Sequence, residues 1–583
     1  MIAELVVSDS YDGQFRILSD DPYFGSNCPC SEMLTEDFHI VNRDRVVAVC
    51  DAISQVYTLS VSDDALALMT EVLSESEPVS ELFVRPFDGF EWKGYQKRAI
   101  NVLEHERNSM LQCGPGLGKT LMALMMACQR FERGDCGKVV VWVPAPLIYD
   151  WVKEIRRSTK LSVATPNRNQ SAKRREEFYL SDESDIWVLN YERLRTVDRE
   201  PIEKALLKSN PLFILDEVQS VKGRASAKHK ELAKLSRHCR ASHIALTATP
   251  IVRGPEDFYN EFRIIEPSVF GTVRDFERLF TYNNGERTIW GDYVGYQNLP
   301  LMHVMSGSKV FSASKSSPEI AKEFPAKQEL LFDYELSKEH RAIYDEIMEY
   351  GYSLGRETRQ GTLFMLTFMR LCNMPETLLL DHVYDNTEYG RQQEGIDLIC
   401  RRHAKQLLDD KLCSKLMLAT DKAHEIVDAG ERLLIFAQHT YNCLYPLGKR
   451  LARLHPLFYT GDVPPMEKER VKEEFKKGSR PLLLMSDAGQ VGLNFQECRY
   501  LMHYQTPITH AAYEQRSDRI SRVDSEYDAI TVMRFVGLGT VEERVEDTMQ
   551  GRRIMAREMG FGEYEEVGTI NRDDADWFAG FED

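Results

Sequence analysis

Between residues 91 and 560, short β-branched or apolar runs alternate with segments of helical period, a pattern that confines the chain to parallel α/β units. In the first half the candidate strands are 109–113, 138–143, 186–190, 212–215 and 244–248. The crossovers between them are long enough for helices, which predicts one doubly wound lobe. A second set at 433–437, 457–460, 482–485, 500–503 and 530–535 predicts another. Between the two sets, from about Phe280 to Ser414, the pattern is mostly helical, and EHRAIYDEIMEYGYSL is its clearest amphipathic run. The expected fold class is α/β, with two similar parallel-sheet lobes and helical insertions.

The strongest local signal is MLQCGPGLGKT, which ends in Gly114-Pro115-Gly116-Leu117-Gly118-Lys119-Thr120. It follows an apolar strand and opens an apolar-rich helix, the context a phosphate-binding loop requires. Glycines let the backbone curl so that successive N–H groups and the helix N-terminus face phosphate oxygens. Lys119 would then reach the β- and γ-phosphates of ATP, and the Thr120 hydroxyl would ligate Mg2+. The stricter motif has a glycine where this chain has Cys113, but the shorter G-x-G-K-T form is intact. A glycine turn that merely precedes a helix is the bland alternative, and the strand–loop–helix context argues against it.

A second acidic site supports the first. Leu212-Phe213-Ile214-Leu215 reads as a buried strand ending in Asp216-Glu217. Asp216 would hold the Mg2+ shell, while Glu217 orients or deprotonates the attacking water. Alone, such a pair is usually a solvated loop start; downstream of a phosphate loop it gains meaning.

Further motifs follow in order along the chain. The first half contains WKGYQKRAI with Tyr95-Gln96, then Val143-Pro144-Ala145-Pro146-Leu147 with Trp151, then Asn190-Tyr191-Glu192. After these come DEVQSVKGRAS, LTATPIVRGPEDFYNEF and FPAKQELLFDYELSKEHRAIYDEI, ahead of MRLCNMPETLL and CSKL. The second half carries LLIFAQHT, FYTGD with Glu469-Arg470, SDAGQVGLNFQ, YEQRSDRISR and FVGLGTVEERVEDTM. Over roughly 91–555 this series resembles the superfamily-two motor ATPases, specifically the Swi/Snf-type branch.

The resemblance implies two RecA-like lobes with ATP between them, and a layout with 91–282 as lobe 1, 283–414 as a helical insertion and bridge, and 415–560 as lobe 2 with a brace helix. It implies that Gln96 reads adenine and that Gly114, Gly116, Leu117, Gly118, Lys119, Thr120 and Gly492 bind the nucleotide. Pro144, Trp151, Asn190 and Tyr191 of lobe 1, and Gln438, Gly461 and Asn494 of lobe 2, would contact a DNA backbone. Arg519 and Arg522 would stabilise charge on the transferring γ-phosphoryl group. Five positions depart from the family pattern: Gln219 replaces a histidine after the acidic pair and is expected to serve in its catalytic place, Gln490 replaces a glycine, Asp487 sits where a basic residue is common, and Val523-Asp524 replaces Gly-Gln. The implied activity is ATP-driven tracking along double-stranded DNA to remodel DNA or DNA–protein complexes. Fork remodelling or strand annealing, polymerase recycling, and RNA-directed unwinding are the alternatives.

Composition bears on the partners. The 583 residues carry a net charge of −18, which by itself argues against nucleic acid. However, residues 1–90 hold 17 acidic and 4 basic residues, a net −13, and 561–583 hold eight acidic residues and one basic, a net −7. The middle is left at +2, and local basic grooves can still grip phosphates there. The ends are expected to be a small acidic α+β domain (1–90) and an acidic aromatic tail (561–583), each a candidate docking site for a protein partner. Cys28, Cys30, His39 and Cys50 match no standard zinc spacing and are expected to be unliganded. No apolar run approaches the ~18 residues of a membrane helix, the start MIAELVVSDS lacks a basic n-region, and cysteines are sparse. The expectation is a cytoplasmic protein in a reducing compartment.

Overall fold

The computed structural model of the chain describes residues 2–7, 15–19, 53, 58–62, 64–65, 91–167, 169–223, 226–248, 251, 254–286, 293–315, 318–354, 361–379, 388–487, 493–522 and 525–558. The chain divides into two compact units, one built chiefly from Met1–Ser317 and the other from Pro318–Arg553.

At the start of the first unit, β1 (Ile2–Val7), β2 (Phe15–Ser19) and β3 (Thr58–Val61) form a three-stranded sheet in the order β2-β1-β3. β2 pairs antiparallel and β3 parallel with β1, so Leu5 stands opposite both Ile17 and Val61. The cysteine and histidine cluster of 28–50, most of the leucine-rich segment after Ala65, and the tail 561–583 lie outside the described residues.

The main sheet of this unit comprises β4 (Asn108–Cys113), β5 (Val139–Val143), β6 (Val163–Ala164), β7 (Ile186–Asn190), β8 (Leu212–Asp216), β9 (Ser242–Thr247) and β10 (Val310–Ala313). Its order is β10-β4-β9-β8-β5-β7-β6, and every pairing is parallel. Every residue of β5, β7 and β8 is buried. A parallel strand covered on both faces must be apolar throughout, which is why these segments read as continuous hydrophobic runs rather than alternations. Five of the seven strands are those the sequence predicts, within two residues at their ends. The two-residue β6 is too short to leave a periodic signal.

The second unit holds a six-stranded, all-parallel sheet of β11 (Ala326–Tyr334), β12 (Leu433–Phe436), β13 (Leu457–Tyr459), β14 (Leu482–Met485), β15 (Tyr500–His503) and β16 (Ala529–Gly537). Its order is β11-β16-β15-β12-β14-β13. The stretch expected to be mostly helical therefore contains two strands. β10 extends the first sheet beside β4, and β11 pairs along its full length with β16 at the edge of the second. The side chains of β11 are mostly partly or fully exposed, so it lacks the apolar continuity that marks its neighbours. Where β11 ends, a Cβ on Gly537 would lie 2.9 Å from the Tyr334 ring, so this register needs a glycine. The helical part of the expectation does appear: Lys338–Ser353 is a helix, capped by Ser337, whose hydroxyl accepts from the His340 N–H at 3.2 Å. Among the described residues no helix is long and apolar enough to cross a membrane.

A buried polar network ties the second unit together. The Lys415 ammonium donates to Asn373 Oδ1 at 2.8 Å and pairs with the Glu542 carboxylate. Glu542 also accepts from the Tyr334 hydroxyl at 2.7 Å, while the Tyr504 hydroxyl donates to the Asn373 carbonyl at 2.6 Å. Five segments far apart in sequence thus join in one network around an ion pair shielded from water. Glu542→Ala leaves the Lys415 charge buried without a countercharge, an expected loss of about 3–5 kcal/mol. Thermal or urea unfolding followed by circular dichroism checks this; a midpoint unchanged from wild type would mean that water reaches Lys415.

Candidate functional site

Strand order determines which residues meet. β4, β9 and β8 are neighbours, so the loop after β4, Thr247 at the end of β9 and Asp216 at the end of β8 line the carboxyl edge of one parallel sheet. Open α/β sheets bind ligands at that edge.

The loop Gly114–Gly118 joins β4 to the helix Lys119–Glu132. Gly116 and Gly118 adopt φ of +85° and +84°, the left-handed region that only glycine enters freely. A Cβ on Gly118 would also lie 2.8 Å from the Gln96 amide nitrogen. The Lys119 ammonium donates to the carbonyls of Cys113 and Gly114, the latter at 3.3 Å, and so lies within the loop it belongs to. Burial pushes the Cys113 thiol up to about 12, so it is an inert packing group where the stricter motif has glycine. The Gln96 amide is held at both ends: its oxygen accepts from the Lys93 N–H at 3.1 Å and its nitrogen donates to the Leu117 carbonyl at 3.4 Å. The Tyr95 hydroxyl donates to the same carbonyl at 3.3 Å. Gln96 therefore braces the loop, a role distinct from the adenine contact the resemblance implies.

The acidic pair is equally constrained. Asp216 Oδ2 accepts from the Trp151 indole N–H at 2.7 Å, and Oδ1 accepts from the Glu217 N–H at 3.0 Å. Burial, and then the adjacent Glu217 charge, raise the Asp216 carboxyl from the usual acid range to about 7. Such a carboxylate favours a nearby cation, and Asp216 with the Thr120 hydroxyl supplies the hard oxygen donors that suit Mg2+. Glu217 itself has φ of +49°, a strained conformation for a residue with a Cβ. Its carboxylate accepts from the Gln219 amide nitrogen, and the Gln219 oxygen accepts from the Thr247 hydroxyl at 2.9 Å. Gln219 thus links the acidic pair to β9 through a neutral amide that does not titrate. Thr247, which carries no expectation beyond its motif, is part of this site. Lys222 of the same acidic motif forms an ion pair with the buried Asp257 at 2.7 Å, anchoring the segment to the helix Pro255–Ile265.

The lobe 1 residues expected at a DNA backbone are mostly interior. Trp151 is 3 % exposed, and its single N–H donor is on Asp216. Tyr191 is 1 % exposed and donates to the Asp216 carbonyl at 2.9 Å; Asn190 is buried as well, with its side-chain oxygen lacking a partner among the described residues. Pro144 is half-buried ahead of the 3-10 turn Ala145–Leu147. What these segments present to solvent is Tyr149 (76 % exposed), Asp150, Glu192 and Arg195.

The remaining candidates belong to the second unit. The Arg519 guanidinium donates to the Leu493 carbonyl at 2.7 Å and the Gln515 carbonyl at 3.0 Å. Arg522 reaches the same Leu493 carbonyl at 3.3 Å, and its buried Nε–H has no partner among the described residues. The Asn494 amide nitrogen donates to Gln496 Oε1 at 3.1 Å. Gln438 is exposed, and its backbone N–H and that of His439 both donate to Gln505 Oε1, at 2.8 and 3.2 Å. Gly461 is exposed with open space around it; Asp462 beside it accepts from Thr460, Tyr445 and Tyr441, and those hydrogen bonds bring its carboxyl down to about 2. Gly492, Gln490 and Val523-Asp524 lie outside the described residues. Asp487 accepts from the buried Arg516, whose Nε lies at 3.1 Å. Arg516 also donates to the Gln505 carbonyl at 3.0 Å and sits 5.4 Å from the Phe436 ring centroid. An acid at 487 is therefore the countercharge of an arginine that the sequence motif contains but to which it assigns no role.

Two family models match the chain in order: the SNF2-related domain over 95–377 and the helicase conserved C-terminal domain over 415–524. A human SWI/SNF-related matrix-associated actin-dependent regulator of chromatin subfamily A member 1 is 25 % identical over 508 residues, covering 82 % of this chain and 45 % of its own length. An uncharacterized ATP-dependent helicase YqhH of Bacillus subtilis is 23 % identical over 440 residues, covering 74 % of this chain and 72 % of its own. Among solved structures, a Sulfolobus solfataricus SWI2/SNF2 ATPase core in complex with dsDNA covers 81 % of this chain and 92 % of its own, at 18 % identity and a TM-score of 0.38. The chain spans less than half the length of the human relative. With both models in sequence order over two parallel-sheet units, the chain belongs to the Swi/Snf-type family of superfamily-two ATPases.

Proposed function

We propose that the chain hydrolyses ATP with Mg2+ and uses the energy to translocate on double-stranded DNA, remodelling DNA or DNA–protein complexes. The observation that carries this reading is the convergence of a glycine-shaped phosphate loop, the buried Asp216 with the half-buried Glu217 beside it, and the Gln219–Thr247 link on three adjacent strand ends. Lys119 would bind the β- and γ-phosphates, while Thr120 and Asp216 would hold the metal, which supplies charge neutralisation when bound. Glu217, fixed by its backbone and by Gln219, would orient or deprotonate the attacking water. The names of the relatives, a regulator of chromatin and an ATP-dependent helicase, support work on DNA.

ATPase rates of the whole chain without nucleic acid and with duplex, forked and single-stranded DNA and RNA test the reading, paired with displacement of a triplex-forming strand. Duplex DNA is expected to stimulate hydrolysis most and to support displacement. Strongest stimulation by forked DNA would favour fork remodelling, and a preference for RNA would overturn the proposal. Hydrolysis without displacement would leave an ATPase that does not translocate. A protein partner at the acidic ends would remain compatible with each of these outcomes.

A further inference from the structure

The two aromatic residues Trp151 and Tyr191 sit in segments that resemble DNA contacts, yet their polar atoms point inward, at Asp216. The sheet explains why. β8 lies beside β5, which lies beside β7, with Leu215 opposite Trp142 and Asn190 opposite Val143. The chain leaving β5 turns through Ala145–Leu147 into the helix Ile148–Ser158, and its first full turn carries Trp151 back over the end of β8. Trp151 and Ile155, one turn apart, form the buried face of that helix, while Tyr149 lies on its exposed side. From β7, Tyr191 reaches the same place and packs its ring against Trp142, 6.4 Å between centroids, and that ring meets Phe213 edge-on at 6.1 Å. The Asp216 side chain is thus held by Trp151 and its main chain by Tyr191.

We propose that Trp151 and Tyr191 are positioning residues for Asp216, connecting the two solvent-facing segments that precede and follow them to the residue that ligates the metal. An indole has one donor and no acceptor, so Trp151 holds one carboxylate oxygen at a defined place. Among the described residues the other oxygen takes only the Glu217 N–H, which leaves lone pairs for a cation. The donor of Trp151 is rigidly joined to a helix whose neighbouring residue Tyr149 faces solvent, so a ligand that engages that helix shifts the donor and the carboxylate together. This is a route from track to nucleotide within the first unit, and it rests on the ATP-site reading above.

The test measures binding rather than turnover. Equilibrium affinity of the whole chain for a fluorescent ATP analogue is recorded in EDTA and across a Mg2+ titration, for wild type, Trp151→Phe and Tyr191→Phe. Tyr191→Phe keeps the ring and removes only the hydroxyl, whereas Trp151→Phe keeps an aromatic side chain but removes part of the buried indole with its N–H, so the comparison with and without Mg2+ separates the lost donor from the lost packing. Trp151→Phe is expected to leave the metal-free affinity unchanged and to weaken the Mg2+-dependent gain about tenfold, as loss of a hydrogen bond to a charged group would. Tyr191→Phe is expected to act in the same direction with a smaller effect, and it carries the test if Trp151→Phe does not fold. Tyr149→Ala is expected to keep the Mg2+-dependent gain and to reduce only the stimulation of hydrolysis by duplex DNA. Equal weakening with and without Mg2+ would assign the two aromatics a merely structural role, and wild-type values for both variants would overturn the proposal while leaving the ATP site standing. A wild-type chain that binds no nucleotide would overturn the ATP-site reading and this inference with it.

Discussion

Glu217→Gln is expected to lower ATP turnover by about 10²–10⁴-fold, the range of a positioned general base, with little change in affinity for Mg2+-nucleotide. The substitution keeps the shape of the side chain and removes its charge. The Gln219 amide that now donates to Glu217 is itself anchored by Thr247, so an amide at 217 stays seated in nearly the same place. What is lost is the group that, on the proposed reading, orders and deprotonates water. Lys119→Ala should behave differently, because its ammonium belongs to the phosphate loop, and nucleotide affinity should fall along with turnover. Phosphate release under saturating ATP, together with direct nucleotide binding, separates the two variants: one loses kcat, the other loses binding. Turnover within tenfold of wild type in Glu217→Gln would move water activation to another residue.

The contrast between these residues and Trp151 shows how far sequence reaches. Lys119, Asp216 and Glu217 are legible because their chemistry depends on local context: a loop between strand and helix, or acids at the end of an apolar run. The expected partner of Trp151 and Tyr191 was DNA because their segments resemble contact motifs. A segment can follow a contact path while one of its side chains turns inward, and which way it turns depends on the neighbouring strand. The same limit explains Asp487, an apparent departure that becomes regular once Arg516, 29 residues later, is seen beside it. The two strands in the supposedly helical stretch were hidden for different reasons. β10 is a four-residue edge strand, and β11 is a half-exposed one, and neither position imposes the unbroken apolar run that revealed the inner strands.

If Arg522 meets phosphoryl charge as the family resemblance implies, Arg522→Ala reduces turnover by about 10³–10⁵-fold, with the stability of the second unit largely retained. Arg519→Ala is expected to lower both turnover and the unfolding midpoint. The difference follows from what each guanidinium already does. Arg519 is buried and makes close hydrogen bonds to two carbonyls of its own unit, Leu493 and Gln515, so its removal leaves interior acceptors unmet. Among the described residues Arg522 has only a 3.3 Å contact to Leu493, and its buried Nε–H has no partner there, so most of its donor capacity remains available to an anion. Burial holds the Arg522 guanidinium below its ordinary range, the condition under which an incoming phosphate charge is most strongly favoured. Arg522→Lys keeps the charge but not the planar fork, and should recover only part of the activity. Wild-type turnover in Arg522→Ala would confine this arginine to bracing Leu493, and the charge on the phosphoryl group would have to be met by Lys119 and the metal alone.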